Sequence, residues 1–167
     1  MLRQNKNVFA KAIINDQPCA KATIKGRPKN PRLHGAVYFY KIYDGTLVVA
    51  EIYGIPQRDD NGKPSPGFYG FHIHEGANCT GDESDPFKNA GGHYNPTKQE
   101  HPLHSGDLPV LLSNKGYSYM MVYTDRFSPS QIIGRTVIVH MMADDFHSQP
   151  AGDSGMKIGC GQIKKYK

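Results

Sequence analysis

The feature that most restricts what this chain can fold into is a succession of short segments in which apolar and polar residues alternate. A period of two puts one face of a strand in a core and the other outside it. Residues 33–43 (LHGAVYFYKIY) and 46–55 (TLVVAEIYGI) flank Asp44-Gly45. That dipeptide signals a hairpin, because both central positions of a type I′ turn require positive φ. Further strands are predicted over residues 8–14, 20–25, 67–74, 116–124, 135–142 and 156–163, which are rich in Tyr, Val, Ile and Phe. Eight short strands and hardly a helix imply an all-β, antiparallel sandwich or barrel, and the 18 Gly and 12 Pro suit its many turns. The 167 residues suffice for one hydrophobic core, so residues 1–167 are read as a single domain, with residues 1–7 as a flexible N-terminal tail.

Two segments break the alternation. Residues 76–115 carry Asn, Asp, Gly, Pro and His with little period of either kind, and residues 144–155 form a second, shorter interruption. A loop as long as the first is expected to be functional or disordered. Six of the eight His lie between Phe71 and His140. In Gly70-Phe71-His72-Ile73-His74-Glu75, His72 and His74 stand two apart on a predicted strand, so both imidazoles leave one face while Phe71 and Ile73 leave the other. The long loop then supplies His93 in GGHYNP and His101, His104 and Asp107 in HPLHSGD, spaced eight, three and three residues apart. Three His and one Asp complete a tetrahedral zinc shell of the structural type. His72, His74 and His140, with a fourth ring from His93, form an all-nitrogen set that suits copper. If His93 serves both sets, its ring bridges the two metals. His34 and His147 fall outside the pattern and are read as solvated.

The runs GFHIHEG, AGGHYNP and HSGDLP, the strand GRTVIVHMMADD and the end GMKIGCG together resemble the copper,zinc superoxide dismutase family, in particular its bacterial members, from about residue 33 to residue 163. The resemblance implies an eight-stranded Greek-key sandwich or barrel with long metal-binding loops, an architecture among whose examples this family is counted. It also implies an enzyme that converts superoxide to dioxygen and hydrogen peroxide by copper redox cycling with a zinc-supported bridging histidine. The copper ligands would be His72, His74, His93 and His140, and the zinc ligands His93, His101, His104 and Asp107. Asp144 matches an aspartate that hydrogen-bonds a ligand of each metal and so fixes ring direction. Cys79 and Cys160 match an intrasubunit disulfide, which on the loop-entropy model contributes roughly 4 kcal/mol at most. Lys157 stands where better-known members place an arginine that guides superoxide to copper; the charge survives but the planar fork does not. Activity is expected to persist at a reduced level, since a cation beside open copper attracts a small anion, superoxide dismutase being itself a familiar case of such steering. The competing reading is a non-catalytic copper-binding or carrier protein of the same fold, although relatives of that kind often lack copper ligands and here all four positions are filled. A cupin-type metalloenzyme shares a His-x-His strand but leaves HPLHSGD and the paired cysteines unexplained.

Lys plus Arg number 20 against 15 Asp plus Glu, a formal +5, with much of the excess at the ends: Lys6, Lys11, Lys21, Lys25, Arg27, Lys29, Arg32, Lys164, Lys165 and Lys167. These are read as solvated surface. No basic stripe interleaved with aromatics is visible, so no nucleic-acid partner is expected, and no stretch approaches transmembrane length, so no membrane partner either. Superoxide, a small anion, fits the charge. Three cysteines leave at least one free or paired between chains, and Cys19 is expected to be a buried or half-buried free thiol. Residues 1–20 lack an apolar leader core, which reads as cytoplasmic for the chain as given; a disulfide favours an oxidising compartment, periplasmic or extracellular, if a signal was removed. The family contains monomers and dimers, so a homodimer is possible.

Overall fold

The computed structural model describes residues 8–167, and the expected tail at 1–7 lies outside them. Nine strands occur among the described residues: β1 (Ala20–Gly26), β2 (His34–Ile42), β3 (Gly45–Tyr53), β4 (Phe68–Tyr69), β5 (Phe71–His74), β6 (Leu111–Leu112), β7 (Ser118–Thr124), β8 (Thr136–His140) and β9 (Lys157–Lys165). Seven form one antiparallel sheet in the order β5-β8-β9-β1-β2-β3-β7, and β4 pairs with β6. The long return that lays β9 beside β1, next to the β1-β2-β3 meander, is of the Greek-key kind.

The alternation read from the sequence sets which face is inside. Ala22 and Ile24 of β1, Val37 and Phe39 of β2, Val48, Ala50 and Ile52 of β3, Phe71 and Ile73 of β5, and Val137 and Val139 of β8 are fully buried in one cluster, around which the sheet curls. Their neighbours in sequence face the other way. On β5 and β8 that outer face carries His72, His74, Ile138 and His140, where a solvated strand would carry exposed polar groups.

Three local expectations are corrected. Residues 8–14 are not a strand: α1 (Val8–Asn15) is a helix whose Phe9, Ala12 and Ile13 pack on Tyr40, Ile42, Leu47 and Val49, the outer face of β2 and β3. The apolar run VFAKAII satisfies both periods, and the spacing of Phe9, Ala12 and Ile13 puts them on one helical face. The β2-β3 turn is shifted by one residue. Ile42 pairs with Gly45, so the loop is Tyr43-Asp44, with Tyr43 at φ 48°. Gly45 serves close approach instead: a Cβ there would sit 2.3 Å from the Thr124 carbonyl oxygen of β7. The strand expected over 67–74 is broken at Gly70, whose N–H bonds the Met142 carbonyl and whose carbonyl receives the His140 N–H. β4 thereby leaves the large sheet to join β6, a strand too short to read from sequence.

Cys19 is a free thiol but exposed, not buried. It precedes β1, where Ala20 takes the core position and turns the preceding side chain outward. Arg27, expected on the solvated surface, is buried; its guanidinium contacts Asp60, Asn30 Oδ1 at 2.6 Å and Met156 Sδ at 3.5 Å.

Candidate metal centre

The outer face of β5 and β8 becomes a site because both loops close over it. β5 is an edge strand, and its free edge is paired by the long loop: the Ile73 N–H bonds the Gly106 carbonyl at 2.9 Å, and the Tyr94 N–H bonds the Ile73 carbonyl at 2.8 Å. His93 thus lies opposite His74, and Asp107 opposite His72. A register shift between Val139 and His140 bends the end of β8, re-aiming the last ring of the set as bulges do. The start of the loop, just after β5, is tied by the disulfide Cys79–Cys160.

Two groups of four donors result, beside a smaller one of His101, Asp144 and Asp145. One ligand atom each from His72, His74, His93 and His140 lie within 4.8 Å of one another, and so do those from His93, His101, His104 and Asp107. Every one of these residues is buried, His72 completely. His34 and His147, read as solvated, are exposed and outside both groups.

The hydrogen bonds decide which nitrogen of each ring is free. A carbonyl or carboxylate oxygen only accepts, so a ring nitrogen facing one carries the proton and the other nitrogen keeps a lone pair. His74 donates from Nδ1 to the Gly91 carbonyl at 2.8 Å, and His140 from Nδ1 to the Gly155 carbonyl at 3.0 Å. His72 donates from Nε2 to Asp144 Oδ2 at 2.6 Å, and His101 from Nε2 to Asp144 Oδ1 at 2.9 Å. The lone pairs are therefore on His72 Nδ1, His74 Nε2, His140 Nε2 and His101 Nδ1. His74 Nε2 and His140 Nε2 face each other at 3.2 Å, and His72 Nδ1, His93 Nε2 and His101 Nδ1 are buried without a hydrogen-bond partner. Apposed lone pairs and orphaned buried nitrogens are costly unless a cation sits among them. The donor set fits two metal ions.

His93 faces both ways. Its Nδ1 donates to Asp107 Oδ1 at 2.7 Å and lies 3.4 Å from His104 Nδ1, while its Nε2 belongs to the other group. Asp107 is held by the His104 N–H, at 3.0 Å from Oδ2.

Burial, with help from neighbouring rings, pushes the His72 and His74 pKa values well below 6.5. Burial likewise lowers His140 to about 4. Burial pushes Asp107 upward, but the hydrogen bond from His93 and the adjacent rings outweigh it and the carboxyl lies below its ordinary value. Neutral imidazoles and an ionised carboxylate are what metal ligation needs. In the metal-free protein the unfolded chain takes protons on these His below about pH 6.5 and the native state does not, so stability is full above that pH and falls as pH drops toward 4. His140 alone is expected to contribute a loss of about 3 kcal/mol by pH 4. Urea unfolding of the metal-free protein at pH 7 and pH 4.5 checks it, and an unchanged midpoint contradicts it.

Several supporting groups carried no sequence signal. Gln149 ties the two loops together, accepting the His101 N–H at 3.0 Å and donating to the His101 carbonyl at 2.7 Å. Arg126 donates to the carbonyls of Pro102 at 3.0 Å and His104 at 3.2 Å. Gly152, at φ 65°, passes so near Asp144 that a Cβ would sit 2.0 Å from its Oδ1. Lys157 reaches the site but is not a free cation: its Nζ lies 2.6 Å from Asp85 Oδ2. Above the rings a cavity of about 790 Å³ opens, lined by His74, His93, His140, Lys157 and Arg27 among others.

Comparison with known proteins agrees with this geometry. The family described as copper/zinc superoxide dismutase matches residues 33–163. A superoxide dismutase [Cu-Zn] of Brucella abortus is 33% identical over 135 residues, covering 72% of this chain and 78% of the relative. One of Deinococcus radiodurans is 30% identical over 163 residues, covering 87% and 84%. Superoxide dismutase [Cu-Zn] 5 of Dictyostelium discoideum is 36% identical over 113 residues, covering 58% and 72%. With a family match over residues 33–163, nearly all of its strands, the chain belongs to the copper/zinc superoxide dismutase family.

Proposed function

We propose that this protein disproportionates superoxide to dioxygen and hydrogen peroxide, with copper held by His72, His74, His93 and His140 and zinc by His93, His101, His104 and Asp107. As a member of its family it is a copper- and zinc-dependent superoxide dismutase. The observation that carries the division is the set of free ring nitrogens. His72 Nδ1, His74 Nε2, His93 Nε2 and His140 Nε2, none of which donates to an oxygen, are the free nitrogens of one group; in the other, His101 Nδ1 is free and the Nδ1 atoms of His93 and His104 turn to the Asp107 carboxylate. Four imidazoles suit copper, and three with a carboxylate suit a closed zinc shell.

Copper, held by His72, His74, His93 and His140, would supply the one-electron chemistry by which one superoxide is oxidised to dioxygen and a second, with two protons, is reduced to hydrogen peroxide. The chain's own residues arrange access, protons and geometry. His72 is fully buried, whereas His74, His93 and His140 line the cavity, so a diatomic anion approaches from one side. His93 moves the proton. Its Nδ1 stays on the Asp107 side, and its Nε2, buried without a hydrogen-bond partner, is the atom that would carry one of the two protons peroxide needs, the other coming from solvent in the cavity. Asp144 accepts from His72 and from His101, so one carboxylate orients a ring in each group.

Metal content per chain, measured with dismutase activity before and after copper reconstitution, tests the proposal. One copper and one zinc with copper-dependent activity is expected. Tightly held copper without activity would move the reading to a carrier of the same fold.

A further inference from the structure

Two cations line the cavity above the rings, and each faces an acid. Arg27 contacts Asp60. Lys157, in the position that the family resemblance gives to a substrate-guiding cation, contacts Asp85. The second pair is the informative one, because the structure fixes the acid more tightly than the lysine. One oxygen of Asp85, Oδ1, accepts the Phe87 N–H at 3.0 Å, which leaves Oδ2 directed at Lys157 Nζ. The Asp85 carbonyl accepts the N–H groups of Asp82 at 3.1 Å and Lys88 at 3.0 Å. Asp82 Oδ1 in turn accepts the Asp85 N–H at 3.0 Å and the Ser84 N–H at 2.9 Å. Phe87, two residues on, is packed with Ala90, Ile138 and Cys160, beside the disulfide. The carboxylate is thus mounted on a loop tied down at both its turn and its hydrophobic foot.

We propose that Asp85 is the counter-ion of the substrate-guiding cation: it holds Lys157 Nζ against the disulfide loop and offsets its charge, so that the cavity draws an anion less strongly than the free lysine would. Asp85 is a positioning residue, and the idea rests on the dismutase reading above. The physics is additive to first order. The pair presents little net charge, removal of the acid leaves one positive charge at a partly solvated rim, and removal of the base leaves one negative charge.

The test uses azide, a small anion that binds copper and is followed optically, on the copper- and zinc-loaded protein. Asp85→Asn is expected to tighten azide binding by about threefold at low ionic strength, and Lys157→Ala to weaken it by a similar factor. The double variant is expected to return close to the parent, and Asp85→Glu to behave like it. The differences should vanish near 0.5 M salt, where the screening length is only a few ångströms. A purely structural role for Asp85 predicts no such salt-dependent gain. Unchanged or weaker azide binding in Asp85→Asn, or a double variant that follows either single one, overturns the proposal. Superoxide turnover measured on the same samples keeps the two readings apart: an active parent with unresponsive Asp85→Asn removes only the counter-ion, whereas a copper-loaded but inactive parent removes the dismutase reading while the azide series still decides Asp85.

Discussion

Replacing His72 by alanine is expected to abolish copper-dependent dismutation while zinc is retained. The ring contributes Nδ1 to the four-nitrogen group and is the one member shut off from the cavity, so no solvent molecule is placed to substitute for it. Its loss also leaves Asp144 Oδ2, a completely buried carboxylate oxygen, without the His72 proton that now faces it at 2.6 Å. Loss of an outer partner of a metal ligand typically costs 10–100-fold in affinity or activity, so removal of a ligand together with that partner is expected to cost more than about a hundredfold. His140→Ala should behave likewise, since its Nε2 faces His74 Nε2 directly. His34, exposed and stacked on Tyr53 at 5.4 Å between ring centroids, supplies the control: His34→Ala is expected to turn over as the parent does. Metal analysis and a dismutase assay on the reconstituted variants decide it, and normal turnover in His72→Ala would sink the copper assignment.

What could be read before the fold was known follows a physical rule. A strand of period two forces His72 and His74 onto one face and Phe71 and Ile73 onto the other, and the fold keeps that division, with both His buried because a loop covers them. The spacing of His101, His104 and Asp107 was likewise visible, because a tight turn keeps all three near one point: the His104 N–H bonds Asp107 itself. What escaped the sequence depends on tertiary approach. Asp82, Glu83 and Asp85 form one acidic run, and nothing local says which of them meets Lys157, 72 residues away. The Gln149 clasp on His101 spans 48 residues and has no motif. The helix α1 is not legible locally, because an eight-residue apolar segment fits either period and only the uncovered outer face of β2 and β3 selects the helix. Gly45 is expected as a turn residue of the hairpin but stands one position past the turn. Its value lies in the nearness of β7, which no hairpin rule contains.

Breaking the Cys79–Cys160 link is expected to cost the native state several kcal/mol. The bond joins residues 81 apart in sequence, and on the chain-entropy model its removal returns freedom to the unfolded chain worth about 4 kcal/mol. The effect should be clearest without metals, because bound ions favour the native state by mass action and partly mask the loss. Two perturbations separate the cross-link from the packing around it. Reduction of the parent frees the thiols but keeps both sulfurs in place, whereas Cys160→Ser also puts a hydroxyl at a site only 2% exposed among Phe87, Ala90 and Ile138. Both should lower the guanidinium unfolding free energy of the metal-free protein, the serine variant by more. The linkage also has a functional side. The tied loop carries the Gly91 carbonyl that fixes the His74 ring and the His93 ring itself. Loosening it should therefore weaken copper retention along with stability, and a reduced protein with both quantities unchanged would show that the loop is held by its packing alone.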